Sequence, residues 1–413
     1  MAGIGILGYG TVGSGVYEVL KVNSEIISRR AGEKIEVKRI FDLRDFADDE
    51  VQKILTHDFE DILNDKDIDI VAEVMGGVEP AFTYSIKAME MGKSVVTSNK
   101  ALVAEKGPEL LKSASKNGVN FMFEASCGGT IPVIRPLNEA LTADEILKIE
   151  GILNGTTNFI LSKMTAEGKG FAEVLKLAQS LGYAEADPTA DVEGYDACRK
   201  IAILSSVAFG GTVEYKKILT EGITKITKTD IAYAKAVGSV IKLVASSEIT
   251  ENGVSAKVTP LIIRQSHPLA CVNDAYNAIF VRGNMSGETM YYGSGAGKLP
   301  TAAAVVGDII DEVKHKNCHK PIDWDTDRNL TVLSTDELTV KGLIRVAFAD
   351  DADARRAVSC LFGTKDFVQL ADTAGEFAFL TDMETEKSLK DKVFELSNNV
   401  SVKEILNVIR VEE

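Results

Sequence analysis

Ile4-Gly5-Ile6-Leu7-Gly8-Tyr9-Gly10-Thr11-Val12-Gly13 is a short apolar run that passes directly into three spaced glycines. Val12, Val16, Val19 and Leu20 then recur at helical spacing, so a helix starts where the glycine turn ends. Strand, glycine turn and helix in that order are the setting in which a dinucleotide pyrophosphate rests on a helix N-terminus. Gly8 permits the tight turn, Gly10 lets the backbone approach the pyrophosphate, and Gly13 lets the helix lie close on the strand. A chance glycine cluster lacks these flanks, so Gly8, Tyr9, Gly10, Thr11, Val12 and Gly13 are read as cofactor-binding.

Outward from this turn, Ile35–Phe41 reads as a second strand that ends at Asp42. An acid there accepts hydrogen bonds from the adenosine ribose hydroxyls and repels a 2′-phosphate. Arg39 and Arg44 are near enough to complicate the choice, and the spacing from Gly13 is long because the first helix reads on towards Arg30. The reading leans to NAD and leaves NADP open. Strands and helices then alternate. Asp69-Ile70-Val71-Ala72-Glu73-Val74-Met75 is a strand ending in Gly76-Gly77, followed by a helix over 80–91. Ser94-Val95-Val96-Thr97 is a strand ending in Ser98-Asn99-Lys100, followed by a helix from Ala101 to about Lys116. A strand over 119–123 ends in Glu124-Ala125-Ser126-Cys127-Gly128-Gly129. Such alternation implies parallel strands with right-handed crossovers, with the strand ends gathered along one ligand-binding edge. Lys100 at that edge is expected beside the nicotinamide or the substrate.

The chain has 413 residues, too many for one ordinary core, and no long apolar run. The N-terminus enters a strand at once, without the features of a signal peptide. A net charge of -15 argues against nucleic acid or an anionic membrane as the main partner. Five scattered cysteines fit reduced thiols in a cytoplasmic protein. His315, Cys318 and His319 lack a clear fourth ligand and read as a solvated segment rather than a metal site.

Blocks spread over about the first 310 positions resemble the homoserine dehydrogenases. They are Gly8 to Gly15, Gly76-Gly77, Thr97-Ser98-Asn99-Lys100-Ala101, Glu124-Ala125-Ser126, Gly151-Ile152-Leu153-Asn154-Gly155-Thr156-Thr157-Asn158 and Leu181-Gly182-Tyr183-Ala184-Glu185-Ala186-Asp187-Pro188. Asp191, Gly194, Asp196 and Lys200 follow, then His267-Pro268-Leu269-Ala270, Asn277-Ala278, Gly293-Ser294-Gly295-Ala296-Gly297 and Pro300-Thr301-Ala302. The resemblance implies NAD(P)-dependent interconversion of L-homoserine and L-aspartate 4-semialdehyde, on the route to threonine and methionine. It implies an α/β fold with three parts: a Rossmann-type dinucleotide-binding domain (1–133 with 298–325), an α/β catalytic and dimerisation domain (134–297), and a small α+β ACT-like domain (330–413). A helix beginning near Pro300 returns the chain to the first part, and a homodimer or homotetramer is expected.

Oxidising an alcohol needs a hydride acceptor, a group to take the hydroxyl proton, and anchors for the rest of the substrate. Asp196 and Lys200 lie four apart and share a helical face. A surface salt bridge is the commoner fate of such a pair, but Ile201-Ala202-Ile203-Leu204 places this helix against a core. By resemblance, Lys200 is the acid/base, Glu185 binds the substrate amino group, and Asp191 and Asp196 complete the polar network. Lys100 is a second candidate for the proton, and the residues do not rank the two. Asn154, Gly155, Thr156 and Tyr183 are expected to line the substrate; read without the resemblance, Asn154 and Gly155 make a turn with a threonine cap. Ser98, Gly76, Gly77 and Gly297 join the cofactor set. The resemblance also implies a monovalent cation, sodium or potassium, on the backbone oxygens of Glu124, Cys127, Gly129 and Ile131. Cys127 has an alternative reading as the thioester-forming nucleophile of an aspartate-semialdehyde dehydrogenase, but no histidine base is near. A non-catalytic nucleotide sensor has no use for Glu185, Asp196 and Lys200 together.

Two departures from the family stand out. Phe41 takes the place where an arginine is frequent, and Asp274 stands where a glycine is usual, in a turn near the expected dimer surface. After Trp324 a polar stretch leads to strand (342–349), helix (353–362), two strands (367–370 and 376–381), helix (384–397) and strand (402–411). That order resembles the ACT module, but its first loop, Ala349-Asp350-Asp351-Ala352-Asp353, lacks the Pro-Gly used beside an amino-acid effector.

Overall fold

Short, wholly apolar strands cannot face water, so they pair side by side and bury both faces under the helices that connect them. In the computed structural model, which describes residues 1–412, the chain divides into two compact units. Met1–Ile149, Arg199–Tyr215 and Ala278–Leu330 form the first; Glu150–Cys198, Lys216–Asn277 and Thr331–Glu413 form the second.

In the first unit, β1 (Ala2–Leu7), β2 (Ile35–Phe41), β3 (Leu55–Thr56), β4 (Ile70–Glu73), β5 (Ser94–Thr97) and β6 (Phe121–Met122) make a parallel sheet in the order β3-β2-β1-β4-β5-β6. Strand order reverses between β1 and β4, and a crevice opens at the carboxyl ends of such strands. All six residues of β1 are buried. Val16 and Leu20 of the helix Thr11–Val22 share a core with Ala302, Val305, Val306, Ile309 and Val313 of the helix Lys298–Lys314. The two helices approach so closely at Gly15 that a Cβ there would lie 2.8 Å from the carbonyl oxygen of Lys298. The helix expected to run on towards Arg30 is in fact two. Asn23, at φ −100° and ψ 17°, ends Thr11–Val22 and starts Ser24–Ala31, in keeping with the preference of asparagine for helix ends over interiors.

In the second unit the longest strands, Ser239–Thr250 and Gly253–Arg264, form an antiparallel hairpin. Val402–Glu412 lies parallel to Gly253–Arg264, with Leu261 opposite Arg410, and antiparallel to Thr339–Phe348. Glu376–Leu380 and then Phe367–Val368 continue the sheet. The helices Asp351–Phe362 and Glu386–Ser397 pack over these last four strands around Ile344, Val358, Phe377, Phe379, Leu389 and Leu396. Apart from the two-residue strand Glu384–Thr385, which pairs with the start of Thr339–Phe348, residues 339–412 follow a β-α-β-β-α-β order, with the last strand beside the first and Glu376–Leu380 beside Phe367–Val368. No helix among the described residues is long and apolar enough to cross a membrane.

Candidate active site

In the first unit the glycine turn is pinned to the end of β2. Gly8 N donates to Phe41 O at 2.8 Å, and Tyr9 N donates to Asp42 Oδ2 at 2.8 Å. Gly8 has φ +96°, open to glycine at little cost. A Cβ on Gly13 would fall 1.9 Å from Gly8 O, so only glycine fits where the helix crosses the turn; a Cβ on Gly10 meets nothing within 4 Å. Gly10 is the N-cap of Thr11–Val22 and provides no side-chain cap, and no acid sits in the first turn. The N–H groups of that turn, including those of Thr11 and Val12, thus have no capping side chain, an arrangement in which a helix N-terminus can receive an anion.

Asp42 is buried and doubly held by Arg44, whose Nε and Nη2 donate to its two oxygens at 2.9 Å each while Arg44 N donates at 3.0 Å. The guanidinium keeps the Asp42 carboxyl well below the usual carboxylate range. Of the two arginines near this acid in sequence, Arg44 is the partner; Arg39 points to Asp65, at 3.9 Å.

Across the crevice, Glu73 ends β4 with no exposure at all. Thr97 Oγ1 donates to it at 2.6 Å and Met75 N at 2.9 Å, and burial pushes its carboxyl up to about 7. Thr97 Oγ1 also accepts from Asn99 N at 2.9 Å. Asn99 caps the helix Lys100–Asn117 through Leu102 N and donates to Gly77 O at 2.7 Å. One buried chain, from Glu73 through Thr97 to Asn99, therefore fixes both the Gly76-Gly77 turn and the start of the helix at Lys100, with Ser98 between. Gly297, at φ +123°, opens the helix Lys298–Lys314.

Lys200 is buried on the helix Tyr195–Ala208, one turn beyond Asp196. Its carbonyl lies 3.8 Å from the Cys127 thiol, which has no exposure. In the segment 124–131, the Glu124 carboxylate is spent on the N–H groups of Val133, Ile134 and Arg135. Gly129 has φ +58°, and a Cβ on Gly128 would lie 2.4 Å from Ile131 O. Gly128 O accepts from Ile131 N at 3.0 Å, closing the turn.

In the second unit Asn154 is the hub. Its Nδ2 donates to Asp191 Oδ1 at 2.8 Å and to Asp196 Oδ2 at 3.0 Å, while its Oδ1 accepts from Thr157 N at 2.9 Å. The helix Gly155–Glu167 is thus capped by Asn154 and not by a threonine; the asparagine precedes the first helical residue, where its oxygen reaches the N3 amide. Thr156 Oγ1 donates to Tyr183 O at 2.7 Å, and the Tyr183 ring packs on Phe159. Glu185 is exposed, and its carbonyl accepts from Gln179. Asn154, Asp191 and Asp196 are therefore in direct contact, as are Thr156 and Tyr183.

Sequence reading gave no role to Glu73 or Asn158 and passed over Lys242. For Glu73 and Lys242 a signal was present: Glu73 closes the apolar run Ile70-Val71-Ala72, and Lys242 interrupts the apolar run from Val240 to Ala245, where a buried charge needs a built-in partner.

The chain matches the family model "Homoserine dehydrogenase, NAD binding domain" over residues 8–124 and the model "Homoserine dehydrogenase" over residues 132–310. It is similar to a homoserine dehydrogenase of Neisseria gonorrhoeae, 39% identical, with 99% of this chain and 98% of that protein covered. It is also similar to the crystal structure of a homoserine dehydrogenase from Thiobacillus denitrificans, with a TM-score of 0.91 and 38% identity, covering 100% of this chain and 98% of that one. A hyperthermophilic archaeal homoserine dehydrogenase in complex with NADPH matches with a TM-score of 0.65 and 29% identity over 75% of this chain and 97% of that one.

Proposed function

This chain belongs to the homoserine dehydrogenase family, and on that premise we propose how its own residues divide the work. The reaction is the interconversion of L-homoserine and L-aspartate 4-semialdehyde with a nicotinamide dinucleotide, which supplies the hydride acceptor when bound. Lys200 takes the hydroxyl proton in oxidation and returns it in reduction, and Asp196 one turn away orients it. Lys100 is the second candidate for that proton. Glu185 and Asp191 attract the substrate ammonium, while Asn154, Gly155, Thr156 and Tyr183 shape the floor under the amino-acid end. The observation that carries this reading is the Asn154 amide shared between Asp191 and Asp196, which holds two carboxylates at fixed positions on the same short stretch that bears Lys200. Cys127 has no exposure, and a thiol that substrate cannot reach is a poor thioester nucleophile, so the semialdehyde oxidation reading is set aside.

We read the dinucleotide crevice as NAD-preferring, because Asp42 is held ionised at the end of β2, where it accepts from ribose hydroxyls and repels a 2′-phosphate. A monovalent cation fits the backbone oxygens of Glu124, Cys127, Gly129 and Ile131, since neutral hard donors in a tight turn suit a singly charged ion. Residues 330–413 are read as an ACT-like domain from their strand order, with a role in effector binding or assembly. Asp350 caps the helix in the first loop, where the effector-binding modules carry Pro-Gly. We read the functional division as 1–133 with 298–325, 134–297 and 330–413, in a cytoplasmic homodimer or homotetramer.

The test measures NADH and NADPH oxidation with aspartate semialdehyde, with potassium or choline chloride and with or without threonine. Turnover with NADH exceeding that with NADPH is expected. Lys200→Ala should lose most turnover, about 100-fold or more, while its affinity for NADH is retained. Near-wild-type turnover in that variant removes Lys200 from the mechanism.

A further inference from the structure

Lys242 is a lysine in the middle of the apolar run Ile241-Lys242-Leu243-Val244, and it is only 3% exposed. Its Nζ sits among four neutral acceptors: Val272 O at 2.5 Å, Asn158 Oδ1 at 3.1 Å, Asn273 Oδ1 at 3.1 Å and Ser162 Oγ at 3.5 Å. Two of these lie on the helix Gly155–Glu167 and two on the segment that follows His267-Pro268-Leu269-Ala270. Asn158 strengthens the same tie, donating to Val272 O at 3.1 Å and Tyr276 O at 3.0 Å, and Ser162 Oγ accepts from Asp274 N at 3.2 Å. The segment is thereby pressed against the first turn of the helix. A Cβ on Gly155 would lie 2.7 Å from Ala275 O. That first turn is the one capped by Asn154, the residue that holds Asp191 and Asp196.

We propose that Lys242 is a positioning residue for the amino-acid substrate: its ammonium clamps residues 272–277 onto the helix and so fixes the Asn154–Gly155–Thr156 turn. The inference rests on the reading that this turn contacts substrate. An ammonium has three protons for four acceptors, so the clamp is strongest when Lys242 is charged; a neutral amine has two, and turns a lone pair towards an oxygen. Burial pulls Lys242 down to about 8, while the negative charge of the Asp274 carboxylate, and that of Cys271 where it is a thiolate, push the other way. Lys163, paired with Glu167 and Asp274, lines the same cavity. A cavity of about 480 Å³ lined by Lys163, Lys242, Cys271 and Asp274 reaches the clamp from outside, so protons exchange there. Asp274 itself holds φ 55°, keeping the left-handed turn that a glycine would take.

The clamp is lost as pH rises through about 8. The Michaelis constant for homoserine should therefore climb above that pH, with the turnover number and the NADH affinity little changed. Lys242→Met should raise that constant about tenfold at pH 7, change the turnover number less than about threefold, and abolish the step near pH 8. Asp274→Asn changes an exposed side chain and leaves Lys242 in place. It should move the step to lower pH by about half a unit, and it decides the matter if Lys242→Met does not fold. The substrate's own ammonium titrates in every variant, so the reading is the difference from wild type. Asn154→Ala serves as the reference. An unchanged Michaelis constant there overturns the substrate reading of the turn. A raised constant there, together with wild-type profiles for Lys242→Met and Asp274→Asn, overturns the clamp alone.

Discussion

Glu73→Gln tests whether the buried acid at the end of β4 is carried as a neutral group. Glu73 has no exposure and accepts from Thr97 Oγ1 and Met75 N, and its carboxyl is raised by burial from 4.5 to about 7. The folded state therefore holds this proton more tightly than the unfolded chain. Below pH about 4.5 both states are protonated and the contribution to stability is complete. It falls as the unfolded chain ionises first, and is fully lost once pH passes about 7. At 1.36 kcal/mol per pH unit the loss amounts to about 3 kcal/mol. Glutamine cannot ionise, but it leaves Thr97 without its acceptor geometry, at a cost of about 1–2 kcal/mol. The two stability curves should cross, wild type being the more stable at pH 5 and Glu73→Gln at pH 8. Trp324, the only tryptophan, is buried in the same unit, so urea unfolding followed by its fluorescence reports on the right part of the chain. Asp308, raised to about 8 by burial, titrates in both proteins and cancels in the difference. Parallel curves from pH 5 to 8 would refute the reasoning.

Gly10→Ala places a methyl where nothing lies within 4 Å; the stability change should stay near about 0.5 kcal/mol, while NADH affinity by fluorescence titration falls at least about tenfold because the pyrophosphate needs that approach. Arg345→Met leaves Asp230, which has no exposure, and Glu376 without their shared counter-charge; a loss of about 3 kcal/mol is expected, read as an earlier thermal transition by circular dichroism, and an unchanged transition would remove the ion cluster from the account.

The first sheet was legible because its strands are short, separated by helices along the chain, and built on β-branched and other apolar residues even where charges interrupt them, as in Ile35–Phe41. Ile35–Phe41 and Ser94–Thr97 have the bounds that the sequence suggests, and the glycine turn announces itself by its spacing together with the strand before it and the helix after it. What was not legible depends on distant partners. Nothing near Lys242 in sequence names Asn158, 84 positions away, or Val272, 30 positions away. Nothing near Glu73 names Thr97. Asp42 shows the same limit at short range: Arg39 and Arg44 are both close in sequence, and only the side-chain direction assigns the carboxylate to Arg44. Asn23 illustrates the opposite case, where a local preference for helix ends outweighed an apolar period that ran on past it.

Read along the chain, residues 330–413 look separable, because a polar stretch precedes them and they have their own strands and helices. Yet their final strand, Val402–Glu412, is also the parallel neighbour of Gly253–Arg264. Its Arg410 is buried and held by Glu386 and Glu221, while Arg345 reaches Asp230 and Glu376. Each arginine thus bridges an acid of the C-terminal segment and an acid of the stretch 216–277. Buried ion pairs of this kind add little net stability over apolar packing, but a slipped register leaves a charge unpaired and costs several kcal/mol. Their effect is to permit one pairing of Val402–Glu412 with its neighbours and to penalise the rest. A ligand or subunit contact that shifts the C-terminal strands must therefore move Gly253–Arg264 with them, and with it the hairpin partner that bears Lys242.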